Sequence, residues 1–236
     1  MKQAVIAFVQ ATAMVAVLGI IARFVPIVNS NLGALVALVF LGMTVHVAKK
    51  RSKDLVDFGY HTSPVLRSLV TAGLYIAIVF PIFMFGFVFF YDLACAQGSA
   101  IAQMAPPGLC PRFLGWAGAH WPSLGMATLE LAFVQVIVVA LPEELFFRGL
   151  IHELCEKAMP PKRRVLGGGI GWALVISSAL FALGHLAVTF DARRLAVFFP
   201  GLAFGWMRSA TGSIFAGVIA HAASNLFIHI LQLIYF

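Results

Sequence analysis

The chain has 236 residues, 61% of them hydrophobic and 11% charged. Its mean hydropathy is +0.98, and soluble domains carry about 25% charged residues, so a soluble globular domain is excluded. The net charge of +7 does not indicate nucleic acid. The basic residues form short clusters beside apolar runs, Lys49-Lys50-Arg51-Ser52-Lys53 and Lys162-Arg163-Arg164, with no aromatic interleaving; this is a pattern of membrane topology and anionic headgroups.

Residues 3–25 form the first apolar run. It is long for a signal-peptide core and lacks a clean A-x-A cleavage site, so it reads as a retained first spanning helix. Asn29-Ser30-Asn31 make a turn, and Asn31 or Ser30 can cap the next helix. Residues 32–48 form a second run that stops at the Lys-Arg cluster. A polar loop, 49–64, leads into residues 65–91, long enough to span with tilt. Residues 92–122 are the longest non-apolar segment, with Trp116 and Trp121 suited to a membrane interface. A helix from 123 to about 158 follows and ends at Pro160-Pro161. Further runs are expected at 167–189, 195–209 and 212–236. The expected fold is all-α, a polytopic membrane helix bundle of seven or eight transmembrane helices. Residues 1–236 form a single integral membrane domain, with no internal repeat. Three Cys and no CxxC give no disulfide scaffold or zinc framework. The spacing of Cys95 and Cys110 would permit one bond, worth about 3 kcal/mol if the compartment is oxidising.

The positive-inside rule places both basic clusters, and with them the N-terminus, in the cytoplasm. Segment 92–122 and the C-terminus would then lie outside, and Arg193-Arg194 would be a mild violation.

Ionisable groups inside the apolar runs are the functional candidates, because an aspartate, lysine or arginine at a bilayer centre costs about 2.5–3.5 kcal/mol even on insertion scales. Leu141-Pro142-Glu143-Glu144-Leu145-Phe146-Phe147-Arg148-Gly149 ends the run that begins at Leu124. On a helix Glu144 and Arg148 are at i,i+4 and share a face. Glu143 is rotated about 100° away and has no such partner. Pro142 removes the bond to the Val138 carbonyl and is expected to kink the helix. His185 sits in the 167–189 run. His221 and Asn225, again at i,i+4, sit in the last. In lipid each must meet a polar partner inside the bundle, and rough helical depths let all of them converge on one cavity. There a carboxylate beside an imidazole can activate water, while a second His and an Asn donate hydrogen bonds to an oxyanion. Two His and a Glu are also zinc-compatible, although there is no HExxH.

In order, Glu143-Glu144-x-x-x-Arg148, Phe181-x-x-x-His185 and His221-x-x-x-Asn225 resemble the three motifs of the CPBP family. These are the CAAX prenyl proteases and bacteriocin-processing enzymes, the glutamic-type intramembrane proteases of the Abi group. The motifs cover a catalytic core of residues 124–230. The resemblance implies that Glu143 and His185 activate water, that His221 and Asn225 form the oxyanion hole, and that Glu144 and Arg148 hold the site together. It implies an intramembrane endopeptidase acting on a membrane-associated peptide or protein: a prenylated CAAX-like C-terminus, a leader peptide or a C-terminal sorting tail. No cofactor and no nucleic acid are expected. The expected location is a prokaryotic inner (plasma) membrane. A metal-dependent protease with the same residues and a non-catalytic bacteriocin-immunity or binding protein are the alternatives. Gln135 reads as glue between helices, and Glu130 as interfacial. His46, His61, His120, His152 and His229 read as interfacial or structural, and Cys155 as inert.

Overall fold

The computed structural model describes residues 1–236, apart from the side chain of Thr189. The chain is a helical bundle. Its main helices are α1 (Lys2–Ala22), α2 (Leu32–Lys50), α3 (Val65–Cys95), α4 (residues 126–158), α5 (Trp172–Thr189), α6 (Phe198–Thr211) and α7 (Phe215–Tyr235). An all-α membrane bundle fits this architecture. By length and apolarity α1, α2, α3 and α7 can each cross a membrane, and α5 is apolar but shorter. α6 has only 14 residues, and α4 changes its winding four times.

The 31 residues of α3 give about 46 Å of helix, more than a hydrocarbon core of about 30 Å, so it must tilt or protrude. Leu66, Leu74, Phe85 and Phe89 are exposed on it, as a lipid-facing surface requires. Its other side packs on α7, where the Phe80 and Phe227 rings stack at 4.2 Å.

Besides Ser30 and Asn31, whose side chains bond back to the Pro26 and Ile27 carbonyls instead of capping α2, two features differ from the sequence expectation. The glycines at 167–169 do not begin a span. They belong to a hairpin, β1 (Arg163–Val165) with β2 (Gly168–Ile170), paired Arg163 to Ile170 and Val165 to Gly168. Its two turn residues, Leu166 and Gly167, have φ of 49° and 85°, the left-handed pair that tight hairpins use. A Cβ at Gly168 would lie 2.2 Å from the Trp206 indole, so the strand needs glycine there, and α5 starts only at Trp172. Second, α4 is not sharply broken at Pro142. Two π-helical stretches, Gln135–Ala140 and Leu145–His152, flank the α-helical turn Leu141–Glu144. The wider winding before Pro142 absorbs its missing N–H, and such π segments recur at functional sites.

The bundle has two chemically distinct ends. At one, Arg51 bonds to Gln3, Arg67 Nη2 donates to the Leu166 carbonyl at 3.3 Å, and Ile214 N donates to the Gly59 carbonyl at 3.0 Å. Both basic clusters lie here. At the other, Cys95 and Cys110 are joined by a disulfide, and Leu114 N donates to the Tyr235 carbonyl at 2.9 Å. The main apolar core is centred on Leu145–Cys155 of α4, with Phe8 and Val15 of α1, Phe40 of α2, Phe58 and Phe181 packed around it.

Candidate active site

Glu144 is completely buried and Arg148 is 2% exposed. Neither charge can be hydrated, so each must be compensated inside the protein. Arg148 Nη1 lies 3.3 Å from Glu144 Oε1. Its Nη2 donates to the Gly201 carbonyl at 3.3 Å. Its guanidinium lies 4.0 Å from the centre of the Phe181 ring and 5.4 Å from that of Phe204, both cation–π distances. Glu144 Oε1 also accepts Nδ1–H of His221 at 2.9 Å. The i,i+4 pair read from the sequence is therefore present, and it extends to a third group, the His221 ring. Phe204 stacks on that ring at 5.2 Å.

Sequence reasoning missed two glycines that make this packing possible. A Cβ on Gly217 would stand 2.7 Å from Glu144 Oε2, and one on Gly201 would stand 3.3 Å from Arg148 Nη2. Gly217 lies four residues before His221, one turn away on the same helical face; that spacing is the signal that could have found it.

Glu143 points away from this buried pair, as the helical rotation required. Its side chain is 13% exposed and that of His185 is 22% exposed. Glu143 Oε2 lies 3.6 Å from His185 Nε2 and 3.9 Å from His221 Nε2. These separations exceed a direct hydrogen bond. His185 Nδ1 faces the Phe181 carbonyl at 3.0 Å. A carbonyl only accepts, so Nδ1 carries the proton, and a neutral His185 ring presents its Nε2 lone pair to Glu143. Two acceptors then stand side by side at the cavity wall, both within reach of one water beside them.

Asn225 lies one turn beyond His221. Its Nδ2 donates to Gln135 Oε1 at 2.8 Å, which leaves the second N–H of the amide for a ligand. Gln135 is glue between α4 and α7 as expected, and its partner is a candidate site residue. Glu143, His185, His221, Asn225 and Gln135 all line one cavity of about 590 Å³, whose other walls include Val36, Phe40, Val139 and Val188. His229 also lines it, whereas His46 and His120 are exposed on the surface. His152 is fully buried, its Nδ1 2.8 Å from Ser177 Oγ and its Nε2 3.4 Å from Glu156, a separate structural network. Glu130 is exposed and Cys155 is a buried free thiol. Among the described residues no group of three or more His, Cys, Asp or Glu is arranged to hold a metal ion.

Residues 125–227 match the family described as type II CAAX prenyl endopeptidase Rce1-like. This match supports the CAAX/CPBP family of intramembrane proteases. All six motif residues fall inside the matched segment. The match indicates a hydrolase of the protease class, and together with the apolar helices it supports an integral membrane protein. No curated protein and no solved structure matches the chain significantly.

Proposed function

We propose that this CPBP-family chain hydrolyses a peptide bond of a membrane-associated polypeptide with a water activated by Glu143 and His185. The observation that carries the reading is the adjacency of Glu143 Oε2 and His185 Nε2, 3.6 Å apart at the wall of the cavity. A water on the cavity side of this pair can donate one O–H to each acceptor and keep a lone pair for attack. Polar contacts longer than 3.5 Å are commonly bridged in this way. Proton transfer to a positioned base contributes about 10²–10⁴ in rate.

The carbonyl oxygen of the scissile bond would turn toward His221 Nε2 and Asn225 Nδ2. A doubly protonated His221 donates from Nε2 while Nδ1 stays on Glu144. As the tetrahedral oxyanion forms, each such donor is worth about 2.7–4 kcal/mol. The proton taken from water passes to the leaving amine. Glu144 and Arg148 fix the His221 ring, and Gln135 fixes the Asn225 amide. The substrate must present an extended strand, because helical amides are hydrogen-bonded and shielded.

The catalytic core in this reading is residues 124–230 within one membrane domain of the whole chain. α4, α5 and α6 complete a seven-helix bundle with the four longer spans. The test is to map protein termini in membranes of the native host with the wild-type gene and with Glu143→Gln at equal protein level. Internal cuts that vanish in the variant support the reading. Identical sets of termini defeat it.

A further inference from the structure

The cavity runs in one direction only. On α2 its lining residues are Leu32, Gly33, Val36, Ala37 and Phe40, from the end opposite Lys49-Lys50. On α7 they begin at His221 and continue through Asn225 and Ile228 to Gln232, toward Tyr235. On α5 they run from Phe181 to Val188, and Arg194 and Val197 follow beyond it. Every wall thus leads from the Glu143 layer to the end that carries the Cys95–Cys110 disulfide. Toward the basic end the path is closed. Leu145 to His152 of α4 are all buried, as are Ala216, Gly217, Val218 and Ala220 of α7.

The two ends differ in charge as well. Lys2, the segments 49–67 and 157–164, and Arg208 place eleven of the sixteen Lys and Arg residues at the closed end. Arg23, Arg112, Arg193 and Arg194 are at the open end, and Arg148 is inside. By the positive-inside rule the closed end is cytoplasmic. The disulfide agrees, because such bonds persist in oxidising, exported compartments. The two criteria are independent, one from loop charge and one from cysteine chemistry. The Arg193–Arg194 pair counts against the first criterion but leaves the balance at eleven to four.

Resting on the protease reading above, we infer that the active site is loaded from the non-cytoplasmic face, and that its substrate is an exported, membrane-anchored polypeptide. The scissile segment is apolar and unwound, descending between Val36 and Phe40 on one side and Val188 and Val197 on the other. Arg194, exposed at the rim, is placed to meet a carboxylate flanking that segment. A prenylated C-terminus made in the cytoplasm lies on the wrong side of the closed floor.

The test uses cysteine accessibility in the full-length membrane protein. Val197→Cys and Ile228→Cys put thiols on the cavity wall, and Lys50→Cys puts one at the closed end. The native Cys155 is buried and the other two cysteines are bonded, so the background is silent. A charged, membrane-impermeant methanethiosulfonate is applied to right-side-out spheroplasts and to inverted vesicles. We expect near-complete loss of the free thiol of Val197→Cys and Ile228→Cys in spheroplasts alone, with Lys50→Cys reacting in inverted vesicles alone. Reaction of the cavity thiols from the inside, from both faces, or from neither while Lys50→Cys reacts would overturn the inference. This readout needs no catalysis, so it is separate from the protease reading. If Glu143-dependent cuts are found, they should lie on the exported side of their substrates. Cuts confined to cytoplasmic C-termini overturn the access inference and leave the protease reading standing.

Discussion

Gly217→Ala tests whether the buried carboxylate sets the geometry of the site. The added Cβ would stand 2.7 Å from Glu144 Oε2, 3.4 Å from its Cδ and 3.7 Å from its Cγ. Carbon–oxygen contacts settle near about 3.4 Å, so the carboxylate must retreat by roughly 0.7 Å. It is held on its far side by His221 at 2.9 Å and Arg148 at 3.3 Å, and both move with it or lose it. A hydrogen bond to a charged group is worth about 1.5–3 kcal/mol, so a misplaced His221 should lower kcat/KM by roughly 10- to 100-fold. Overpacking costs about 1–3 kcal/mol, but alanine is about 1 kcal/mol better than glycine in a helix, so the fold should survive. The assay is kcat/KM on a peptide spanning a Glu143-dependent cut, with thermal unfolding in detergent alongside. Gly73→Ala in α3 is the control, since nothing lies within 4 Å of its new Cβ. Wild-type kcat/KM in Gly217→Ala would refute the assignment of Glu144 as the group that positions His221.

Arg148→Ala strands a buried Glu144 and should cost about 3–5 kcal/mol, seen as a large drop in Tm and in the yield of folded protein. Gln135→Leu removes the acceptor that orients Asn225; kcat should fall about tenfold, the equivalent of 1.4 kcal/mol for one hydrogen bond, with Tm nearly unchanged. Cys95→Ser with Cys110→Ser opens a loop with a sequence separation of 15 and should destabilise by about 3 kcal/mol, while the activity of the folded fraction at low temperature is retained. Cleavage should persist after exhaustive treatment with a metal chelator; activity abolished by the chelator and restored by zinc would favour the metal-dependent alternative.

The polar half of the candidate site was legible because hydropathy makes each of its members conspicuous. Glu143, Glu144, Arg148, His185, His221 and Asn225 interrupt runs that otherwise read as lipid. Helical periodicity then separated Glu144 with Arg148 from Glu143. The glycines were not legible, because a residue without a side chain looks the same whether it bends a turn, receives Trp206 or gives way to Glu144. For the same reason Gly167–Gly169 read as the start of a span when they form a hairpin. Gln135 stood out as polar, but its partner lies 90 residues away, and nothing local names it. His152 read as interfacial or structural, and it is buried against Ser177 on another helix, a partner that nothing local names. The π winding of α4 was hinted at only by Pro142, since hydrogen-bond pitch leaves no mark on composition. The direction of the cavity needed the bundle itself, because helix depths counted from guessed ends overlap too broadly to choose a face.

The central claim is that Glu143 activates the attacking water, and purified Glu143→Gln tests it most directly. Glutamine keeps the size and polarity of the side chain and removes the base. With a peptide spanning a cut mapped in the native membrane, the account predicts a loss of about 10²–10⁴ in kcat with Tm and substrate binding unchanged. Cleavage by Glu143→Gln at the wild-type rate would contradict it.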